Sequence, residues 1–195
     1  MRAVIIIIIV IFILVPQGGC SYPRGKYDSM SGLCVSDKRM VEGAQDIRMF
    51  IRPDQARKLP CFGELEGKTE KEQIYILTKY ISRLENRNEE NDYWQYPAET
   101  IARGGGDCED KVFLLLSAIN AAGIDGAYGI KGRYMGGGHF WIEYDDMILD
   151  PYRKNRNIME KDRVVGYNPF FKFNADDVYV NETLTGGAKC QRFLR

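Results

Sequence analysis

Histidine is nearly missing from this chain: of 195 residues only one, His139, carries an imidazole. With a single histidine and five scattered cysteines, the ligand spacing of a zinc site cannot be assembled. A surplus of charge is missing too. Lysine plus arginine number 27 and aspartate plus glutamate 27, so nothing electrostatic draws the chain to nucleic acid or to an anionic surface. There is no internal repeat and no low-complexity block. Nor is any apolar run long enough for a stable membrane span. The longest, Ala3 to Val15, is about thirteen residues, or ~20 Å of helix against a hydrocarbon core of roughly 30 Å.

What the chain does have is apolar material, 45% beside 28% charged residues, enough for one globular domain with appendages and ample for an enzyme. Runs such as Glu70 to Glu72 and Arg153 to Arg156 read as solvated faces. The short apolar run follows Arg2 and ends at Pro16, with Gly18, Gly19 and Cys20 beyond it. That is the pattern of a signal-peptide hydrophobic region, so the mature protein is expected outside the cytoplasm. Residues 1–20 are therefore assigned as a signal peptide or a membrane or lipid anchor. Gly-Gly-Cys resembles the end of a lipoprotein cleavage site, with Gln17 a departure from it, and membrane attachment would run through this segment. In an oxidising compartment Cys34, Cys61 and Cys190 become disulfide candidates, with Cys20 lipidated or the fourth partner; the loop-like surroundings of Cys34 and Cys61 favour bridging those two. Asn181-Glu182-Thr183 is a glycosylation sequon.

Residues 21–66 show no sustained period and are rich in turn formers, so they read as an N-terminal extension over the surface of a domain spanning 67–195. That domain opens with a helix from Thr69 to Asn86, where Ile74, Leu77, Tyr80, Ile81 and Leu84 recur at helical spacing. Thr69 is its N-cap, with Glu72 at the capping-box position. A second helix is expected from Cys108 to about Ala122, with Val112, Leu115, Leu116 and Ile119 on one face and Gly123 as its stop. Strands follow over Ala127 to Tyr134, His139 to Tyr144 and Met147 to Asp150, with further apolar stretches near Val164 to Phe173 and Val178 to Val180. A helical half followed by an antiparallel sheet makes the fold class α+β.

The chemistry concentrates at "GGGDCEDK", residues 104 to 111, where a cysteine stands among glycines and carboxylates instead of apolar neighbours. Asp107 is a natural N-cap, which puts Cys108 at the first helical position, where unpaired backbone N–H groups favour a thiolate. Asp107, Glu109 and Asp110 oppose that by like-charge repulsion, so a cationic partner is required. His139 is the one histidine available. If Asp145-Asp146 is a two-residue hairpin turn, Tyr144 faces Met147, Glu143 faces Ile148 and Trp141 faces Asp150. Asp150 then lies diagonal to His139 on one face of the sheet, able to accept the imidazole N–H. Cys108, His139 and Asp150 form a candidate catalytic triad in chain order.

"GGGDCEDKVFLLLSAINAAGI" resembles the nucleophile motif of the transglutaminase-like superfamily, and "HFWIEY" with "ILDPY" resembles its His and Asp-Pro motifs. With "YWQYPAET" upstream, the likeness covers roughly residues 70 to 152. It implies a papain-like transglutaminase core, a helical half carrying the nucleophile packed on a sheet carrying His and Asp. It also implies acyl transfer on peptide or glutamine-type amides through a thioester, as a protease or amidase or as a transglutaminase. The partner is then a protein or peptide substrate. The alternative is a non-catalytic peptide-binding module that keeps the fold, against which the intact triad speaks. The Cys108 backbone N–H is one oxyanion donor, with the Gln95 amide favoured over the Trp94 indole as the second. Trp141 is expected as a wall of the substrate cleft. The oxygens of Asp107, Glu109 and Asp110 suit calcium by type, but such a site needs six or more ligands from several segments, so a solvated helix start is the expectation and no metal or cofactor is assigned.

Overall fold

A computed structural model of the chain describes residues 35–36, 44–88 and 93–180. The apolar segment 1–20, Cys34, Cys190 and the sequon at Asn181 lie outside the described residues. Among those described, no helix is long and apolar enough to cross a membrane.

The first elements are short. β1 (Val35–Ser36) and β2 (Ala44–Gln45) pair antiparallel, and two 3-10 turns, Ile47–Phe50 and Pro60–Glu64, flank the single helical turn α1 (Pro53–Ala56). Thr69 then caps α2 (Glu70–Arg83) through a reciprocal box with Glu72, as the spacing predicts. β3 (Glu85–Asn86) follows, then α3 (Pro97–Arg103), started by Pro97 at its first turn and ended by Gly104 in the left-handed conformation. β4 (Gly105–Gly106) pairs parallel to β3 and leads into α4 (Cys108–Ala121).

The second half is one antiparallel sheet of six strands. β5 (Ala127–Tyr134), β6 (Gly137–Tyr144), β7 (Met147–Leu149), β8 (Ile158–Glu160), β9 (Tyr167–Phe173) and β10 (Val178–Val180) lie in the order β10-β9-β5-β6-β7-β8. The β5–β6 turn is Met135-Gly136, both at positive φ, as tight hairpins require. The β6–β7 register pairs Tyr144 with Met147, Glu143 with Ile148 and Ile142 with Leu149, as the Asp145-Asp146 turn predicts.

α4 is the centre of the molecule. The expected one-faced helix is in fact buried from Glu109 through Ile119, Lys111 included, because α1, α2, α3 and the sheet all pack around it. Each large apolar side chain so buried contributes about 1.5–3 kcal/mol. Residues 47–65 belong to this core rather than to a surface extension: Ile47, Phe50, Ile51, Ala56, Leu59, Cys61 and Leu65 are all inside it. Polar bonds fasten them. The Arg52 N–H donates to Ser117 Oγ at 2.8 Å, Arg57 donates to the Ala121 carbonyl at 2.6 Å, and Gln55 Oε1 accepts the Ala98 N–H at 3.0 Å. Short 3-10 turns bury residues without a helical period, which is why the pattern did not show. Among the described residues Cys61 is a buried thiol with no bridge partner, and burial pushes it up to about 11.

Candidate active site

Asp110 assembles the first turn of α4. It has no exposed surface, and its two carboxylate oxygens accept the Gln95 N–H at 2.7 Å and the Asp107 N–H at 3.2 Å, while Asp107 accepts back from the Asp110 N–H. The helix start and the segment at Gln95 are thereby locked together. The glycines before it make room. A Cβ on Gly106 would come 2.6 Å from the Asp110 side chain, and one on Gly105 would strike the Glu85 carbonyl. Gly105 and Gly106 thus serve close backbone approach under the helix that begins with Cys108, while Gly104 ends α3.

Cys108 is partly buried between that turn and β6. Its thiol donates to Glu109 Oε2 at 3.1 Å, and the Phe140 backbone N–H, one residue past His139, is directed at the sulfur. Burial above all, then the Glu109 carboxylate, pushes the Cys108 thiol well up, while the Phe140 N–H favours the thiolate. Burial and the neighbouring Asp107 also push the Glu109 carboxyl up. These surroundings favour the thiol, so a thiolate here needs a cation beside it, the role for which the sequence offers His139.

The structure brings His139 and Asp150 together: Nε2 lies 2.8 Å from Asp150 Oδ2. With Nε2 committed to Asp150, Nδ1 is the ring nitrogen left for another partner. The imidazole is boxed by four rings, those of Tyr134, Trp141, Tyr152 and Tyr167, at centroid distances of 5.8, 6.3, 6.2 and 6.3 Å. Burial first, and then the charges around it, Asp150 among them, raise the Tyr152 hydroxyl.

Two of the sequence candidates sit differently from expectation. Trp141 has no exposed surface, so it backs the His139 ring and cannot wall a cleft. Its strand alternation turns it inward, where Ile130 and Ile148 pack on it. Trp94 is 3% exposed and packs in an aromatic core with Phe50, Phe113 and Phe140, so its ring is committed to packing rather than to an open oxyanion site. Gln95 is wholly buried but tied by its backbone to the nucleophile turn, which leaves it the better placed of the two.

Sequence reasoning missed Lys111, Tyr152, Arg153 and Tyr167. Lys111 lies one turn beyond Cys108, donating to the Leu84 carbonyl at 2.7 Å and to Asn86 Oδ1 at 2.6 Å. Burial, with Lys154 nearby, brings it down to about 8. Only its position three residues after Cys108 could have hinted at this; Tyr167 comes from a strand that no local motif marks.

No family model matches the chain, and no curated protein matches it. Solved structures do. LapG of Legionella pneumophila superposes with a TM-score of 0.56 at 17% identity, over 73% of this chain and 93% of that one. An EGTA-treated LapG matches at 0.57 and 18%, over 71% and 87%, and a calcium-bound LapG at 0.56 and 17%, over 71% and 89%. At such identity the likeness speaks to architecture. This chain has the α+β fold of LapG, helices packed against an antiparallel sheet.

Proposed function

We propose that this protein is an extracytoplasmic cysteine protease or amidase in which Cys108 is the nucleophile, His139 the acid–base group and Asp150 the group that orients it. The observation that carries the reading is the 2.8 Å His139–Asp150 bond beside a helix-start cysteine whose sulfur meets the amide following that histidine. LapG, whose fold the chain shares, is a transglutaminase-like cysteine protease.

In the proposed reaction the Cys108 proton passes to His139 Nδ1 and the thiolate attacks the carbonyl carbon of a peptide amide. The oxyanion is met by the Cys108 N–H, with Gln95 the second candidate donor. The imidazolium, steadied by Asp150, gives its proton to the leaving amine, and the C–N bond breaks to leave a thioester. His139 then takes a proton from water, whose oxygen attacks the thioester. The C–S bond breaks, releasing a carboxylic acid and restoring the thiol.

Calcium bears on this reading because LapG has been solved with it bound and after EGTA treatment. Asp107 and Glu109 are the side chains that would hold such an ion here. Their carboxylates meet within hydrogen-bonding reach, and the repulsion that raises Glu109 is what a cation relieves. Asp110 would contribute nothing, since both its oxygens accept backbone N–H groups. Among the described residues no three metal-capable side chains gather, so backbone and water would complete the shell. Bound there, calcium would supply positive charge that makes the Cys108 thiolate less costly.

The test is to expose the mature protein to a peptide library and to an amine-bearing probe, with and without EGTA. Peptide cleavage that disappears in Cys108→Ala is the expected result. Amine incorporation without cleavage would make the protein a transglutaminase, and substrate binding with neither would make it a binding module.

A further inference from the structure

Asp150 poses an electrostatic problem that the triad does not solve. It has no exposed surface, and an ionised carboxylate buried so completely is costly unless it is paired. Among the described residues no lysine or arginine forms an ion pair with it; Lys111 feels its charge, but its amine donates to the Leu84 carbonyl and Asn86 Oδ1 instead. Its partners are His139 Nε2 and the Tyr167 hydroxyl, both on Oδ2 at 2.8 Å, and the Tyr152 N–H on Oδ1 at 3.3 Å. His139 balances the charge only when it is protonated, which is half of the proposed cycle.

The compensating cation stands one hydroxyl away. Arg153 Nη1 donates to the Tyr167 hydroxyl oxygen at 3.5 Å and to that of Tyr134 at 2.9 Å. An arginine has donors only, so the oxygen it meets must accept, and the Tyr167 proton is turned toward Asp150. The Tyr134 and Tyr167 rings lie 4.4 Å apart, and the guanidinium sits 5.3 Å from the Tyr134 ring centre, so the plane of the arginine is set by packing as well as by bonds. Its backbone is fixed too: the Arg153 N–H donates to the Asp150 carbonyl at 3.1 Å.

We infer that Arg153 and Tyr167 form a positioning relay in which the hydroxyl of Tyr167 passes the charge of Arg153 to Asp150, keeping that buried carboxylate ionised and aimed at His139. The inference rests on the proposed triad, and neither residue touches the substrate in it. The titratable and charged groups facing the relay are His139 from β6, Tyr134 from β5, Tyr167 from β9, Tyr152 and Arg153 from the segment after β7, and Lys111 from α4. Burial and the Asp150 charge raise the Tyr167 hydroxyl, so it stays a proton donor through the working pH range.

Tyr167→Phe deletes one oxygen and keeps the ring. It is expected to lower kcat about tenfold, the worth of a hydrogen bond to a charged group, with KM little changed. The acid limb of the kcat–pH profile is expected to move to higher pH, because a buried carboxylate that loses a donor takes up a proton more readily. Arg153→Gln should do the same, Arg153→Lys should recover part of the loss, and Tyr134→Phe, which frees only the arginine, should have a smaller effect. Since His139 is the one histidine, labelled-imidazole NMR reads its titration with no assay of activity. Its midpoint in Tyr167→Phe and in Arg153→Gln is expected to depart from wild type by about half a pH unit or more. A folded Tyr167→Phe with wild-type kcat, an unmoved acid limb and an unmoved imidazole midpoint overturns the relay. So does a loss of rate that comes with lower melting temperature and no change in either pH reading, because that is a packing defect. Should Cys108→Ala keep full activity, the protease reading fails, while the imidazole titration still decides for or against the relay.

Discussion

The two faces of the sheet are built on different principles. On one face Phe140, Ile142, Leu149 and Phe173 pack into a deep layer with α4, α2 and the 47–65 segment. On the other, only Ile130, Trp141 and Ile148 are buried, with Tyr128, Met159, Val164 and Tyr167 partly covering them. Cys108 belongs to the deep layer, while His139 and Asp150 share the face of Trp141 and Ile148. The thiol is thus placed by packing and the imidazole–carboxylate pair by hydrogen bonds, so the proposed nucleophile and the proposed acid–base group are set independently.

If this division holds, substitutions on the two faces fail differently. The largest effect is on activity alone: Cys108→Ala should abolish peptide cleavage and rapid iodoacetamide labelling near neutral pH while the protein stays folded by circular dichroism. Asp150→Asn keeps size and loses charge, so a fall of ~10² to 10⁴-fold in rate is expected with a near-normal melting curve. Retention of the wild-type rate would mean that His139 is oriented by another group. The deep face should show the reverse. Phe113, set among Phe50, Trp94, Phe140 and Phe173 at 4.9 to 6.0 Å, should cost about 3–5 kcal/mol of stability as Phe113→Ala in urea titration. Ile148→Val on the thin face should cost only about 0.5–1.5 kcal/mol by the same titration.

Lys111 supplies a subtler contrast. Its folded-state value, about 8, is below the ordinary 10.5, so between those pH values the unfolded chain holds a proton that the folded chain has released. Stability from this group therefore rises with pH across that window. The difference in melting temperature between wild type and Lys111→Met should shift toward wild type from about pH 8 to 10.5, and a flat difference would remove the buried amine from the account. Asp146→Ala, in the exposed β6–β7 turn, should be nearly silent in both activity and stability.

What could be read from the chain beforehand was whatever depends on near neighbours. The Thr69–Glu72 box, the Asp107 cap and the Asp145-Asp146 turn are local, so α2, the start of α4 and the pairing of β6 with β7 were legible, and with that register the approach of Asp150 to His139. The rest depends on distant partners. α1 and the 3-10 turns around it are too short to show a period, and Lys111 is buried by elements distant in sequence, the end of α2 among them. The direction of Trp141 is set by which face the helices leave open, and the Tyr167–Asp150 bond joins residues 17 apart. No pattern within one element encodes either.

Cys61 gives the deep layer an internal clock. As a thiol pushed up to about 11 and sealed in the helical layer, it is inert while that layer is closed, yet on opening it becomes an ordinary alkylatable cysteine. In the Cys108→Ala protein, the rate at which the peptide containing Cys61 gains mass from iodoacetamide therefore times openings of the 60–64 turn from α2. When reclosing outpaces labelling, that rate reports the free energy of that opening.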